Sequence, residues 1–141
     1  MFIHETSVRV LYADTDKAGV VYYGTYLRFF EKGRTEYFRA LGRSYADFEK
    51  LGILLTVVEV RARYHAPARY DDRLVIRSWI TRLTRTRIEF ACEILNEAGE
   101  RLCEGATLLG CIGIETMRPT AMPDEMTALV KDKVIAKKDE G

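Results

Sequence analysis

Cysteine is scarce in this chain of 141 residues, with three in all, Cys92, Cys103 and Cys111. An odd count without a Cys-x-x-Cys spacing supports neither a disulfide framework nor a zinc ribbon. The role left to the three thiols is that of small apolar filler in strands, and reduced thiols fit a cytosolic compartment. Histidine is scarcer still. His4 and His65 stand far apart with no metal-ligand spacing, so no metal site is expected. An excess of one charge is also missing: 22 basic against 21 acidic residues leave a net charge of +1. That balance gives no electrostatic reason to expect nucleic acid or an anionic membrane as partner. The richest apolar stretch, Ile53 to Val58, is far short of the roughly 20 residues that span a bilayer. Met1 to Thr6 lacks a basic region followed by an apolar one, so no signal peptide is expected. No Gly-x-Gly-x-x-Gly and no Gly-x-Ser-x-Gly occurs, which excludes dinucleotide oxidoreductases and serine esterases of those classes. Gly105 and Gly110 have the spacing of a phosphate loop, but Cys111-Ile112 replaces the required Lys-Ser/Thr.

The composition is that of a soluble globular domain, 48% hydrophobic and 30% charged. At this length a single domain buries roughly 70% of its unfolded surface and needs no staples. We place the domain over residues 1–130 and a charged C-terminal tail over 131–141, after the breaks at Pro119 and Pro123 and a short helix from Asp124 to Val130.

Hydrophobic period divides the chain. Residues 6–13 alternate, with Val8, Val10 and Tyr12 on one face, which predicts a half-buried strand. A polar loop follows, Asp14-Thr15-Asp16-Lys17-Ala18-Gly19, then the apolar run Val20 to Tyr23. From Tyr26 the period becomes helical. Tyr26, Phe29, Phe30, Tyr37, Phe38 and Leu41 form a broad apolar face, with Gly24 or Thr25 as N-cap and Gly42 as stop. Ser44 opens a second short helix ending at Gly52. Beyond residue 53 the period falls to two. Strands are expected over 58–65, 74–80, 87–94 and 101–115, joined as an antiparallel meander, with the last, apolar on both faces, central. A helix this apolar must be buried against a sheet. The expected class is therefore α+β, an antiparallel β-sheet wrapped around one long central α-helix.

The chemistry concentrates in the first loop. Asp14 to Gly19 imitates the start of a calcium loop, but Ala18 and Thr25 occupy ligand positions, so calcium is not expected. A plain turn accounts for the aspartates. The surroundings of Asp16 suggest more, because the loop leads through an apolar run to a helix N-terminus. Amides there lack helical partners and carry partial positive charge. A carboxylate facing N–H donors is a geometry for acyl transfer, since the donors stabilise a tetrahedral oxyanion. The carboxylate attacks the carbonyl or activates water. As a weak base it suits an activated ester better than an amide. Tyr22 and Tyr23 precede the helix and are candidates to line an acyl pocket. Arg61, Arg63, Arg82, Arg85 and Arg87 are read as solvated strand residues, with a grip on coenzyme phosphates as the minority reading.

The stretch from Leu11 to Tyr26, with its Asp-x-x-Gly-Val-Val-Tyr-x-x-x-Tyr core, and the segment Phe30-Glu31-Lys32-Gly33-Arg34-Thr35-Glu36 resemble the 4-hydroxybenzoyl-CoA thioesterase family. The resemblance is nearest to its YbgC-type acyl-CoA thioesterases and covers nearly the whole chain. It implies the hot-dog fold and hydrolysis of acyl-CoA to free acid and CoA, with no cofactor beyond the substrate's own coenzyme A. It implies Asp16 as the catalytic carboxylate and the backbone N–H of Tyr23 as the group polarising the carbonyl. Gly19, Val20, Val21, Tyr22, Tyr26 and Glu31 are implied around the substrate, Glu31 equally explained as an i,i+3 partner of Arg34. Family members of the YbgC type commonly carry His where this chain has Tyr23. The resemblance further implies a cytoplasmic homodimer or homotetramer with the site between subunits. A thioesterase acting on acyl carrier protein and a non-catalytic acyl-binding scaffold are the alternatives; the second has no use for Asp16.

Overall fold

The first strand starts earlier and ends sooner than the alternation predicts. In the computed structural model, which describes residues 1–136, β1 spans His4–Arg9 and a single 3-10 turn occupies Tyr12–Asp14. Tyr12, expected beside Val8 and Val10, is 80% exposed. The cause is local. The Asp14 carboxylate accepts the Leu11 N–H at 2.8 Å, and the Asp14 N–H donates to the Leu11 carbonyl at 2.9 Å. This short-range closure withdraws the backbone from the ladder.

Helix α1, Thr25–Ala40, follows the predicted stripe and buries Tyr26, Phe29, Phe30, Tyr37 and Phe38. Gly24 holds its N-cap position, and the chain leaves through Gly42 at a φ of +86°. Helix α2, Tyr45–Lys50, is closed by a reciprocal pair: Asp47 Oδ2 accepts the Ser44 N–H at 2.8 Å, and Ser44 Oγ accepts the Asp47 N–H at 3.3 Å.

Strands β2 (Ile53–Tyr64), β3 (Arg73–Leu83), β4 (Arg87–Leu95) and β5 (Arg101–Gly113) complete a five-stranded antiparallel sheet in the order β1-β3-β4-β5-β2. The meander therefore comprises only β3, β4 and β5. Contrary to expectation, β2 does not pair with β3; it lies on the far side of β5, from Ile53 opposite Gly113 to Tyr64 opposite Cys103. The β2–β3 link, residues 65–72, must consequently pass across the end of the sheet. β5 is interior, as its two apolar faces predict, although β4 is the middle strand.

The sheet curls around α1 with almost no clearance. A Cβ on Gly33 would lie 2.3 Å from Ser78 Oγ, and one on Gly105 would lie 2.6 Å from the Phe30 ring. Phe38, Phe48, Phe90 and Ile80 fill one end of the core, and Phe29, Phe30, Ile76 and Leu102 the other. All three cysteines are buried filler in strands; burial pushes the Cys92 and Cys103 thiols up to about 12. Helix α3, Asp124–Val130, is followed by a 3-10 turn at Lys131–Lys133. The expected tail begins tied to the sheet, because Val134 bridges Ile80 and the Ile135 N–H donates to the Ile80 carbonyl at 2.8 Å. Residues 137–141 of that tail lie outside the described residues.

Candidate active site

The crossing segment 65–72 builds the platform for the first loop. The Val21 N–H donates to the Ala68 carbonyl at 2.8 Å, Val20 bridges Arg69, and the Val10 N–H reaches the Asp72 carbonyl at 2.8 Å. Val21 and Ala68 are buried in the core beside Tyr26. The loop is thus held from below by main-chain bonds, and its upper side faces outward.

Within the loop, the two aspartates have opposite settings. Asp14 is 4% exposed, holds the Leu11 amide and pairs with Arg28 from the first turns of α1. Asp16 is exposed. Its Oδ1 accepts the Ala18 N–H at 2.8 Å and the Val20 N–H at 3.4 Å, while the Gly19 N–H donates to its carbonyl at 3.0 Å. Gly19 adopts a φ of +79°, a conformation that favours glycine, and this lets the chain reverse under the carboxylate. Asp16 Oδ2 has no hydrogen bond among the described residues and is open to a reacting partner.

The other half of the geometry lies at the start of α1. The Tyr22 N–H donates to the Asp14 carbonyl at 2.9 Å, and the Thr25 N–H to the Tyr22 carbonyl at 2.9 Å. Between them, the Tyr23 and Gly24 amides donate to no group among the described residues. Main-chain donors at a helix start are therefore available on the same outward-facing loop that carries Asp16.

Tyr22 and Tyr23 are both exposed, with ring centroids 4.4 Å apart. Hydrogen bonding with Tyr23 holds the Tyr22 phenol above its usual range. Tyr26 departs from the pocket expectation: it is 3% exposed within the core, and burial pushes its phenol up to about 12. Glu31 sits apart from the loop, on α1 at the mouth of a cavity of about 390 Å³ lined also by Arg34, Tyr45, Phe48 and the β2 residues Ile53, Leu54 and Leu55. Asp16 lines neither this cavity nor the one on the outer sheet face. Arg61 and Arg63 face carboxylates, Arg61 near Glu59 and Glu89 and Arg63 near Glu104, at 3.7–3.8 Å.

The chain matches the family model of the Thioesterase superfamily over residues 18–103. The chain belongs to this superfamily. It is therefore a thioesterase, an enzyme that cleaves thioesters with water. Among its relatives, YneP of Bacillus subtilis is 34% identical over 94% of this chain and 99% of its own length. The acyl-CoA thioester hydrolase YbgC of Escherichia coli is 36% identical over 88% of this chain and 92% of its own. The crystal structure of the DHNA-CoA thioesterase from Staphylococcus aureus covers 98% of this chain and all of that one, with a TM-score of 0.84 and 34% identity. The Thermus thermophilus protein TT1821 superimposes with a TM-score of 0.88 at 26% identity over 95% and 99% of the two chains. The sheet wrapped on α1 is the hot-dog fold of these thioesterases. The superfamily match opens at Ala18, just after Asp16.

Two residues that hold this candidate site in place carry no signal in the sequence. Tyr64, at the end of β2, donates its hydroxyl to the Tyr23 carbonyl at 3.0 Å and packs its ring 5.4 Å from that of Tyr26. It fixes the carbonyl next to the free amide of Gly24 across a separation of 41 residues. Arg28 anchors Asp14 and was legible only as a polar-face residue of the helix.

Proposed function

We propose that this thioesterase hydrolyses acyl-CoA to the free acid and CoA, with Asp16 as the catalytic carboxylate and the free amides of Tyr23 and Gly24 as oxyanion donors. The observation that carries the reading is the pairing, on one rigid loop, of an exposed carboxylate with unpartnered main-chain donors at a helix start. The similarity to YbgC, an acyl-CoA thioester hydrolase, supplies the substrate class.

Two routes fit the geometry. Asp16 takes a proton from water while the water oxygen bonds to the carbonyl carbon, or its own oxygen attacks to form a mixed anhydride that water then opens. In both, the amides hold the oxyanion, the carbon–sulfur bond breaks, and the CoA sulfur leaves as thiolate and takes up a proton. Tyr23 acts here through its main chain, so its phenol in place of an imidazole leaves the donor intact. Tyr22 and the exposed face of Tyr23 flank the thioester, while Gly19, Val20 and Val21 set the loop. Tyr26 supports it from the core.

The site is open in one chain, and we propose that a second copy closes it. β2 is a sheet edge of twelve residues with Val57, Val58 and Val60 exposed by 56%, 48% and 38%. An unpaired apolar edge is a template for another strand. Antiparallel pairing of two β2 strands about Val58 sets Ile53 opposite Arg63 and brings the partner copy's cavity beside Tyr64 and Tyr23.

The test is thiol release from a panel of acyl-CoA esters by the purified protein and by Asp16→Asn. Turnover by the wild type and a loss of at least about a hundredfold in the variant are expected. Equal rates would remove Asp16 from the mechanism.

A further inference from the structure

Two peptide groups supply the amides assigned above to the oxyanion, and their carbonyls are held differently. The first joins Tyr22 to Tyr23. Its carbonyl accepts the Thr25 N–H at 2.9 Å, a bond inside the turn that opens α1. The second joins Tyr23 to Gly24. Its carbonyl accepts the Tyr26 N–H only at 3.3 Å, and the shorter bond, at 3.0 Å, comes from the hydroxyl of Tyr64 at the end of β2. A trans peptide unit is planar, with N–H and C=O pointing opposite ways, so holding the oxygen also aims the hydrogen. The second unit needs that hold. Gly24 has a φ of −65°, and a half-turn of the Tyr23–Gly24 peptide would carry it into the positive region, which glycine enters at little cost. Turned that way, the unit would present a carbonyl oxygen where an N–H is required and would repel the developing negative charge. Packing in turn demands the glycine, since a Cβ there would lie 2.7 Å from the Tyr22 ring. The residue that lets the loop close is thus the one that leaves its amide free to turn.

We propose that Tyr64 is a positioning residue for the reaction: its hydroxyl fixes the Tyr23–Gly24 peptide with the Gly24 N–H toward the oxyanion and strengthens that N–H as a donor. The proposal rests on acyl-CoA hydrolysis at this site. Tyr64 touches no reacting atom; it acts through the main chain. Hydrogen bonds in a chain polarise one another, so a carbonyl that accepts makes its own peptide N–H a better donor. The phenol is placed from two sides. Its ring stands 5.4 Å from that of Tyr26 in the core and 6.3 Å from that of Tyr23, both edge-on. Desolvation holds the Tyr64 phenol above its usual range, so it remains a donor at neutral and mildly alkaline pH. Tyr64 is 46% exposed, and a bond in such a setting adds little to folding. Its consequence falls on the orientation of the amide.

The experiment measures kcat and KM of the wild type and of Tyr64→Phe on benzoyl-CoA and on straight-chain acyl-CoA esters. The variant deletes one oxygen and keeps the ring against Tyr26. Its kcat is expected to fall about tenfold, less than the loss on removing an oxyanion donor outright. KM is expected to stay within about twofold, and the melting temperature close to that of the wild type. A second measurement reads the donor directly. Benzoyl-CoA, isotopically labelled at the thioester carbonyl, is bound to Asp16→Asn and to the double variant Asp16→Asn with Tyr64→Phe. Its infrared carbonyl band is expected to move to lower frequency on the first protein and by less on the second. The kinetic arm needs no Asp16 variant, so the test stands even if Asp16→Asn still turns over. An unchanged kcat in Tyr64→Phe, a loss confined to KM, or a carbonyl band that Tyr64→Phe leaves unaltered overturns the role of Tyr64 and leaves the hydrolase reading standing. Failure of the wild type to hydrolyse any CoA ester overturns both.

Discussion

Asp14 and Asp16 stand two positions apart in opposite settings, one buried and paired, the other exposed. Asp14 is held by a backbone amide and by Arg28 in a buried setting, so its removal leaves the Leu11 N–H and a guanidinium without their acceptor. Asp14→Ala is expected to lower stability by about 1–3 kcal/mol, the cost of stranding a buried donor, read as a shift in the denaturant midpoint with an unchanged slope. Asp16→Asn is expected to leave that midpoint within about 0.5 kcal/mol, since the amide oxygen still accepts from Ala18 and the site is exposed. The two variants together test whether Asp14 is structural and Asp16, as proposed, chemical. The sequence alone did mark Asp16, through the loop that feeds a helix start and through its resemblance to a known family. It gave no sign that Asp14 would be buried, because burial there depends on Arg28 folding back from α1. The cysteines give a further residue-scale test. Burial holds the Cys92 and Cys103 thiols near 12, so below that range they stay protonated and unreactive. Folded protein at pH 8 is expected to resist iodoacetamide and to be alkylated at all three thiols once denatured; rapid native labelling would contradict the packing.

At the scale of elements, the tight fit of α1 is the feature that the rest of the fold accommodates. Gly33 meets Ser78 and Ile76 of β3 with no room for a methyl group. Gly33→Ala improves helix propensity by about 1 kcal/mol, yet the clash is expected to dominate and cost about 1–3 kcal/mol net, lowering the melting temperature by several degrees. An increase would mean that the helix and sheet can separate freely. Helices α1 and α2 were legible from period and punctuation: glycines closed both, and Ser44 with Asp47 capped the second. The first strand was misread beyond Arg9, because alternation persists through Tyr12 while hydrogen bonding within Leu11–Asp14 turns the chain away. Local polar closure of this kind leaves no trace in a hydrophobic pattern.

For the whole molecule, the order of strands was the least visible property. Period identifies β2, β3, β4 and β5 but not who neighbours whom, and short links favour a meander. The transfer of β2 to the far side of β5 depends on residues 65–72 bonding across the sheet end to Val10, Val21 and Leu102, contacts that no local pattern announces. That arrangement exposes the valine edge on which the proposed pairing rests. Light scattering is expected to give at least a dimer at micromolar concentration, and Val58→Lys with Val60→Lys is expected to shift it toward monomer with loss of turnover. A wild-type monomer that hydrolyses acyl-CoA would refute the shared site.

The placement of β5 between β4 and β2 also bears on biosynthesis. Among the described residues β2 has one strand neighbour, at residues 101–113, so about fifty residues must emerge from the ribosome before that hairpinless strand can dock. Until then α1 has a half-built cradle, and the nascent polypeptide carries its most apolar segments uncovered, a natural stage for chaperones to act.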